Sequence, residues 1–416
     1  MRGDLAWGIA GAAGVAATLA VIMSFVARAR GLKAGREFQG LPRPADLADL
    51  PLVTIVVPAR NAAPHIGACL ESLVALDYPR LEIIVVDDLS TDRTVEMARE
   101  ISAGSGSGRD IHISLLGDEP ADEGAHWVWG KSRALWHGAK IARGEWLLFV
   151  DADTRVRPDA VWRSLRFVRR HDLDALSMTG VSTIPGVWGD VLEAIVYPAI
   201  FLAFPWGKVN EPNSPIAWMN GQFILYKRTA YFAVGGHRAV AGFVGEDTAL
   251  AILSKKKGVR SIFLPVTSSY ESRDFAGLGE TFRGWTRRLA SAGANLGLRP
   301  RSYFIEAGVL FLVGVWPALA AAVGFLTPVE ATGILGTSLR AWSLAQLGLV
   351  VLFQAVLRAT MKKTLWPAVL APAGAVLAIA LVAAAYRARF ITKTVECRGR
   401  RLRIDDDATE DRSVPD

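Results

Sequence analysis

The stretch EWLLFVDADTRVRPD, Glu145–Asp159, decides the fold. Five apolar residues, Trp146–Val150, run without interruption into Asp151-Ala152-Asp153. A short continuous apolar run that stops at turn residues predicts a strand covered on both faces. The same pattern recurs upstream. Val53–Pro58 (VTIVVP) predicts a strand ended by Pro58, and Leu81–Val86 (LEIIVV) a second with Asp87-Asp88 at its end. Ile111–Leu116 predicts a third, which makes Glu145–Val150 the fourth. Between them, Pro64–Asp77 carries Ile66, Leu70, Leu73 and Leu76 at helical spacing. Thr94–Ile101 follows a Ser90-Thr91-Asp92 capping cluster, and Lys131–Ala142 is a third helical stretch. Strands alternating with helices predict an α/β fold with a mostly parallel sheet, whose ligand edge is the carboxyl ends of the strands. Both acidic clusters fall on that edge. No GxGxxG or Walker A loop is present.

The 416 residues carry a formal charge of +7, and 51% are hydrophobic while 21% are charged. This is too apolar for a disordered chain or for one simple soluble domain. The excess is localised. Leu5–Ala27 holds no charge and is long enough to cross a bilayer core of about 30 Å. It exceeds a signal-peptide core in length and is read as a retained anchor within residues 1–30. Ala307–Val329 and Thr364–Tyr386 are also charge-free, and Ala341–Leu357 reaches spanning length if extended past Arg340. The expected layout is an anchor, a polar domain over 51–290, a membrane region over 303–388 and a polar tail over 389–416. Arg28, Arg30, Lys33 and Arg36 follow the anchor, and Arg299 and Arg301 precede the next apolar stretch. The positive-inside rule then places the polar domain on the cytoplasmic face of a multi-pass protein of the inner (plasma) membrane. Three full C-terminal spans would send the basic stretch Arg387–Arg403 to the opposite side, against that rule. Either one stretch is re-entrant or the count is different. Val191–Gly207, with Tyr197, Phe201, Phe204 and Trp206, reads as a buried helix or as one lying at the membrane interface.

Cys69 and Cys397 are the only cysteines, which excludes a disulfide framework and an all-cysteine zinc site. Lys and Arg form no long patch interleaved with aromatics, so nucleic acid is not an expected partner. The histidines show no ligand spacing, and no GxSxG occurs. Chemistry therefore rests on acids and a few cations. Asp151 and Asp153 are two hard carboxylates one residue apart, the donor type that suits Mg²⁺ or Mn²⁺. Asp87 or Asp88 can accept a hydrogen bond from a nucleobase N–H. Lys131 opens a helix, and a helix N-terminus with a cation favours a diphosphate. Gly245-Glu246-Asp247 also opens a helical stretch, and Asp247 can act as a general base, with Glu246 beside it. Arg283 and Arg287, one helical turn apart around Trp285, can hold a diphosphate or the lipid surface. Each feature also has a plain structural explanation as a cap, a turn or a positive-inside charge.

The order VVPARN, VVDDLSTDRT, GKSRAL, FVDADTRVRPD, NGQFILYKR, GGH, GEDTAL and RGWTRR resembles the family 2 glycosyltransferases of GT-A (Rossmann-like) fold. The match covers about Leu52–Leu289. With an anchor before the domain and membrane segments after it, the chain is similar to the branch holding hopanoid-, carotenoid- and ceramide-associated glycosyltransferases. Val395–Arg400 resembles that branch's W-x-G-R tail, with Cys397 in place of the tryptophan. The resemblance implies a nucleotide-sugar donor, a divalent metal, inversion at the anomeric carbon and a lipid acceptor. Pro58, Ala59, Arg60 and Asn61 would line the donor site, with Asp87 or Asp88 on the uracil. Asp151 and Asp153 would form the DXD motif, with Asp153 nearest the metal. Asp247 would be the base, Lys131 and Arg287 would face the diphosphate, and Arg283 would join the donor site. Three departures stand out: Ala62 follows Asn61 where an acid is common, Trp136 stands where Asn is common, and QxxRW is not matched. Besides lipid glycosylation, polysaccharide synthesis and a non-catalytic sugar-nucleotide-binding subunit are the competing expectations.

Overall fold

The computed structural model describes residues 32–44, 51–104, 111–116, 127, 130–182, 186–192 except 188, 204, 206–266, 268–272, 277–326, 333–360, 364–397 and 400–404, with a few positions between 14 and 23. The predicted strands are present: β1 (Val53–Ala59), β2 (Leu81–Asp87), β3 (Ile111–Leu115) and β4 (Trp146–Val150). They alternate with α1 (Ala63–Val74), α2 (Thr94–Gly104) and α3 (Gly130–Ile141). After β4 come β5 (Thr154–Val156), α4 (Ala160–Arg170), β6 (Ala175–Met178), β7 (Val181–Ser182) and β8 (Phe223–Lys227). Then follow α5 (Glu246–Lys256), β9 (Ser261–Leu264), β10 (Tyr270–Ser272) and α6 (Leu278–Asn295).

Seven strands form one sheet in the order β3-β2-β1-β4-β8-β6-β9. β8 runs antiparallel to both neighbours and the other pairings are parallel, so the sheet is mixed. Every residue of β1 is buried because the sheet is covered on both faces. Val53, Ile55 and Val57 join the core with Ile66, Leu70 and Leu73 of α1. Val56 faces the other way, with Ala134, Leu135 and Ala139 of α3. The sequence places Pro58 at the end of this strand, but β1 continues through Pro58 to Ala59. A missing N–H is tolerated there because pairing with β4 stops at Val56↔Phe149. A second sheet, β5-β10-β7, packs beside the ligand edge.

Two helical stretches, Pro300–Val323 and Trp366–Ile391, are long and apolar enough to cross a membrane. The short apolar stretch at Ala341–Leu357 belongs to a longer helix, Gly333–Thr360. Pro300–Val323 and Trp366–Ile391 run antiparallel: Gly314 closes on Ala375, and Tyr303 meets Tyr386 and Phe390. Gln346, on Gly333–Thr360, is buried and donates to Thr18 Oγ1 and to the Leu312 carbonyl, a polar contact of the kind that joins apolar helices. Thr18 belongs to the expected N-terminal anchor, most of which lies outside the described residues. Arg358, 2% exposed, pairs with Asp190 at 2.8 Å. A terminal hairpin, Thr394–Cys397 with Arg400–Arg403, packs Val395 and Ile404 against Val244, Ala290 and Ala294. The described part of the basic stretch Arg387–Arg403 therefore packs on the polar domain. Of the aromatic segment Val191–Gly207, Phe204 and Trp206 are buried near Phe263, while Tyr197 and Phe201 lie outside the described residues.

Candidate active site

The site forms where β2, β4, α3 and α5 present their ends to one edge. Asp151 follows directly on β4. Its Oδ1 lies 2.7 Å from Lys131 Nζ, in the first turn of α3. The same ammonium lies 2.8 Å from Oε1 of Glu246, the first residue of α5. One cation thus ties the acidic turn after β4 to the acidic start of α5. Lys131 remains 21% exposed and Glu246 is buried. Burial opposes the Lys131 charge, but Asp151, Glu246 and Asp247 outweigh it and hold its pKa above the ordinary lysine value. Burial likewise pushes the Glu246 carboxyl up, but Lys131 prevails and leaves it below the usual carboxylate value.

Asp247 is held differently. Its Oδ1 accepts the Thr248 N–H at 2.7 Å, and its Oδ2 accepts the Gly221 N–H at 3.0 Å. Burial, and next the adjacent Glu246 charge, push its pKa up to about 6. A side chain at Gly221 would crowd this approach. A Cβ there would stand 3.0 Å from Lys131 Nζ and 3.2 Å from Asp247 Oδ2. Behind this group His237 is buried, accepting or donating at 2.8 Å through Nδ1 to Tyr231 Oη. Burial lowers its pKa to about 3, so it is neutral at physiological pH.

The two acids after β2 separate in environment. Asp88 Oδ2 lies 3.2 Å from Arg60 Nη1, which also donates to the Asp88 carbonyl at 2.8 Å. Asp87 Oδ2 accepts the Ser90 N–H at 3.0 Å, while its Oδ1 is buried without a hydrogen-bond partner. Gly130 brings α3 against this pair, and a Cβ on it would overlap Asp88 Oδ2. Asn61 adopts φ +45° and spends its side-chain oxygen on the Thr91 N–H at 2.8 Å. Its side-chain oxygen thus ties it to the loop after β2. Pro58 and Ala59 are strand residues, and the Ala59 carbonyl accepts the Asp88 N–H.

Asp153 is half-buried, with the Thr154 hydroxyl at 3.4 Å. Among the described residues no three His, Cys, Asp or Glu side chains gather as a metal cage. The two carboxylates of the Asp151–Asp153 turn suit a hard cation that takes its remaining oxygens from ligand and water, and do not suit a closed protein site. Arg283 is exposed and Arg287 half-buried on α6. That helix reaches the site through Asn295, whose Nδ2 donates to the Gly245 carbonyl at 2.8 Å and to the Val244 carbonyl at 3.2 Å. Reasoning from the sequence did not single out Asn295 and carries no local signal for it. At the Trp136 departure the ring packs 5.5 Å from Phe232 and 6.2 Å from Tyr231.

Residues 54–195 match glycosyl transferase family 2. The 4,4'-diaponeurosporenoate glycosyltransferase of Staphylococcus aureus (strain USA300) is 30% identical over 281 residues, which covers 63% of this chain and 66% of the relative. The chain thus spans just under two thirds of that relative's length. The mannosyltransferase PcManGT from Pyrobaculum calidifontis, solved with GDP-Man and Mn²⁺, superposes with a TM-score of 0.52 at 19% identity. That superposition covers 93% of this chain and 99% of the other. The fold is GT-A, and residues 54–195 of the chain match the glycosyl transferase family 2 model.

Proposed function

We propose that the protein is a membrane-bound, inverting glycosyltransferase that moves a sugar from a UDP-sugar to a hydroxyl of a lipid acceptor. The observation that carries this is the Lys131 bridge between Asp151 and Glu246, with Asp247 beside it. It brings a diphosphate-type site and a candidate base within one side chain of each other. The name of the staphylococcal relative, a carotenoid-related glycosyltransferase, supports an apolar acceptor. The apolar helices that follow the domain favour delivery of that acceptor from a membrane, with the domain on the cytoplasmic side.

In this reading Asp87 receives the uracil N3–H, because its Oδ1 is the buried acceptor left to be satisfied, whereas Asp88 is engaged by Arg60. Asp151 and Asp153 hold Mg²⁺ or Mn²⁺, which supplies positive charge against the diphosphate when bound. Lys131 adds a fixed cation at the same edge, and Arg287 and Arg283 approach from α6. Asp247 takes the proton of the acceptor hydroxyl. The acceptor oxygen bonds to the anomeric carbon as the bond to the diphosphate oxygen breaks, and that oxygen keeps the electron pair. A proton acceptor positioned this way contributes about 10²–10⁴-fold.

The test is UDP release by the full chain in detergent, from a panel of UDP-sugars, with and without a bacterial lipid extract and with and without EDTA. Release that requires both lipid and metal is expected, with one sugar preferred. Release into long products from a short primer would favour polysaccharide synthesis. UDP binding without release from any donor would leave a non-catalytic subunit as the better reading.

A further inference from the structure

We propose that Asn295 is a positioning residue, which holds the turn before Glu246-Asp247 against the helix that leads into the membrane. The inference rests on the proposed role of Asp247 as the base. Four observations carry it. Gly245, at φ +85°, caps the N-terminus of α5 and sets the direction in which Glu246 and Asp247 leave the turn. Its carbonyl accepts two hydrogen bonds, from the Ala249 N–H at 3.2 Å and from Asn295 Nδ2 at 2.8 Å. The same amide reaches the Val244 carbonyl at 3.2 Å, so one side chain grips two successive peptide units. A side chain on Gly245 would be strained at its φ and crowded: a Cβ on it would stand 3.2 Å from Asn295 Nδ2 and 3.3 Å from Ser291 Cβ.

The placement of Asn295 gives the grip its consequence. It ends α6, the helix of Arg283 and Arg287, and Pro300 begins the first apolar span a few residues later. The base turn and the membrane-entering helix are therefore joined through one amide. Val244 is also packed under Val395 and Ile404 of the terminal hairpin, so the turn is closed in from both sides. A misplacement of about 1 Å at a reacting group costs about 100-fold in rate. The donor contacts assigned to β2, β4 and α3 do not pass through this contact, and Arg283 and Arg287 lie earlier on α6 than Asn295.

The experiment compares Asn295→Ala and Asn295→Asp with the parent chain and with Asp247→Asn, all full length in detergent. Asp keeps the size of Asn295 but replaces the amide donor with oxygen against two carbonyl oxygens. For both Asn295 variants we expect kcat to fall at least about 10-fold, while the donor KM and the affinity for UDP stay within about twofold. Unchanged kcat in both variants would overturn the proposal, and so would a joint loss of donor affinity, kcat and melting temperature. If Asn295→Ala does not fold, Asn295→Asp alone decides by the same split, and failure of both to fold marks a purely structural role. Full turnover in Asp247→Asn would instead overturn the base assignment itself, which separates the two failures.

Discussion

Asp247 and Lys131 show how neighbouring charges set chemistry at one edge. Asp247 is raised to about 6 by burial and by Glu246, while Lys131 is held charged by three carboxylates. A base must be unprotonated, so turnover should rise as pH climbs through about 6 and level above it. A kcat–pH profile without an acid limb near that value would remove Asp247 from the role. The stability sign is opposite. A carboxyl with a raised folded pKa binds its proton more tightly in the folded state, so its contribution to stability falls as pH rises from the ordinary carboxylate value towards 6. Asp247→Asn should abolish transfer and leave UDP binding intact, as read by UDP release and by calorimetry. Lys131→Met should leave Glu246 buried without its cation. We expect a loss of about 2–4 kcal/mol in unfolding free energy together with weaker donor binding.

At the scale of elements, two glycines of α3 fix how closely the helix meets the sheet. Gly130 lets the helix start touch Asp88, and Gly138 lets its middle lie on Val56, where an added Cβ would overlap Val56 Cγ1. Gly138→Ala should cost about 1–3 kcal/mol by overpacking, seen in the denaturation midpoint, with donor affinity preserved. Gly130→Ala should weaken donor binding more than it lowers stability, because the overlap falls on Asp88. The strands and helices up to β4 were legible in the sequence because each is a local pattern: an apolar run or a helical spacing. β8 was not, since its antiparallel insertion between β4 and β6 depends on partners distant in the chain. Its sequence, Phe223–Lys227, reads as a strand of either direction.

For the molecule as a whole, contacts tie the segments after the polar domain back to it. Arg358 meets Asp190, and the terminal hairpin meets Val244 and Ala290, so both belong to the face of the polar domain. Cysteines placed in the hairpin and in the polar domain should therefore react from the same side of sealed vesicles with a membrane-impermeant thiol reagent. Reaction from opposite sides would contradict the packing of Val395 and Ile404. Local composition determined the alternation of strands and helices, the acidic edge and the apolar stretches, because periodicity, turn chemistry and hydropathy act over a few neighbouring residues. Only the tertiary structure decided which of Asp87 and Asp88 is left unsatisfied, that Lys131 joins Asp151 to Glu246, that Asn295 reaches Gly245, and that the tail returns to the domain. These depend on side chains tens to hundreds of residues apart, whose meeting is set by the packing of the whole chain.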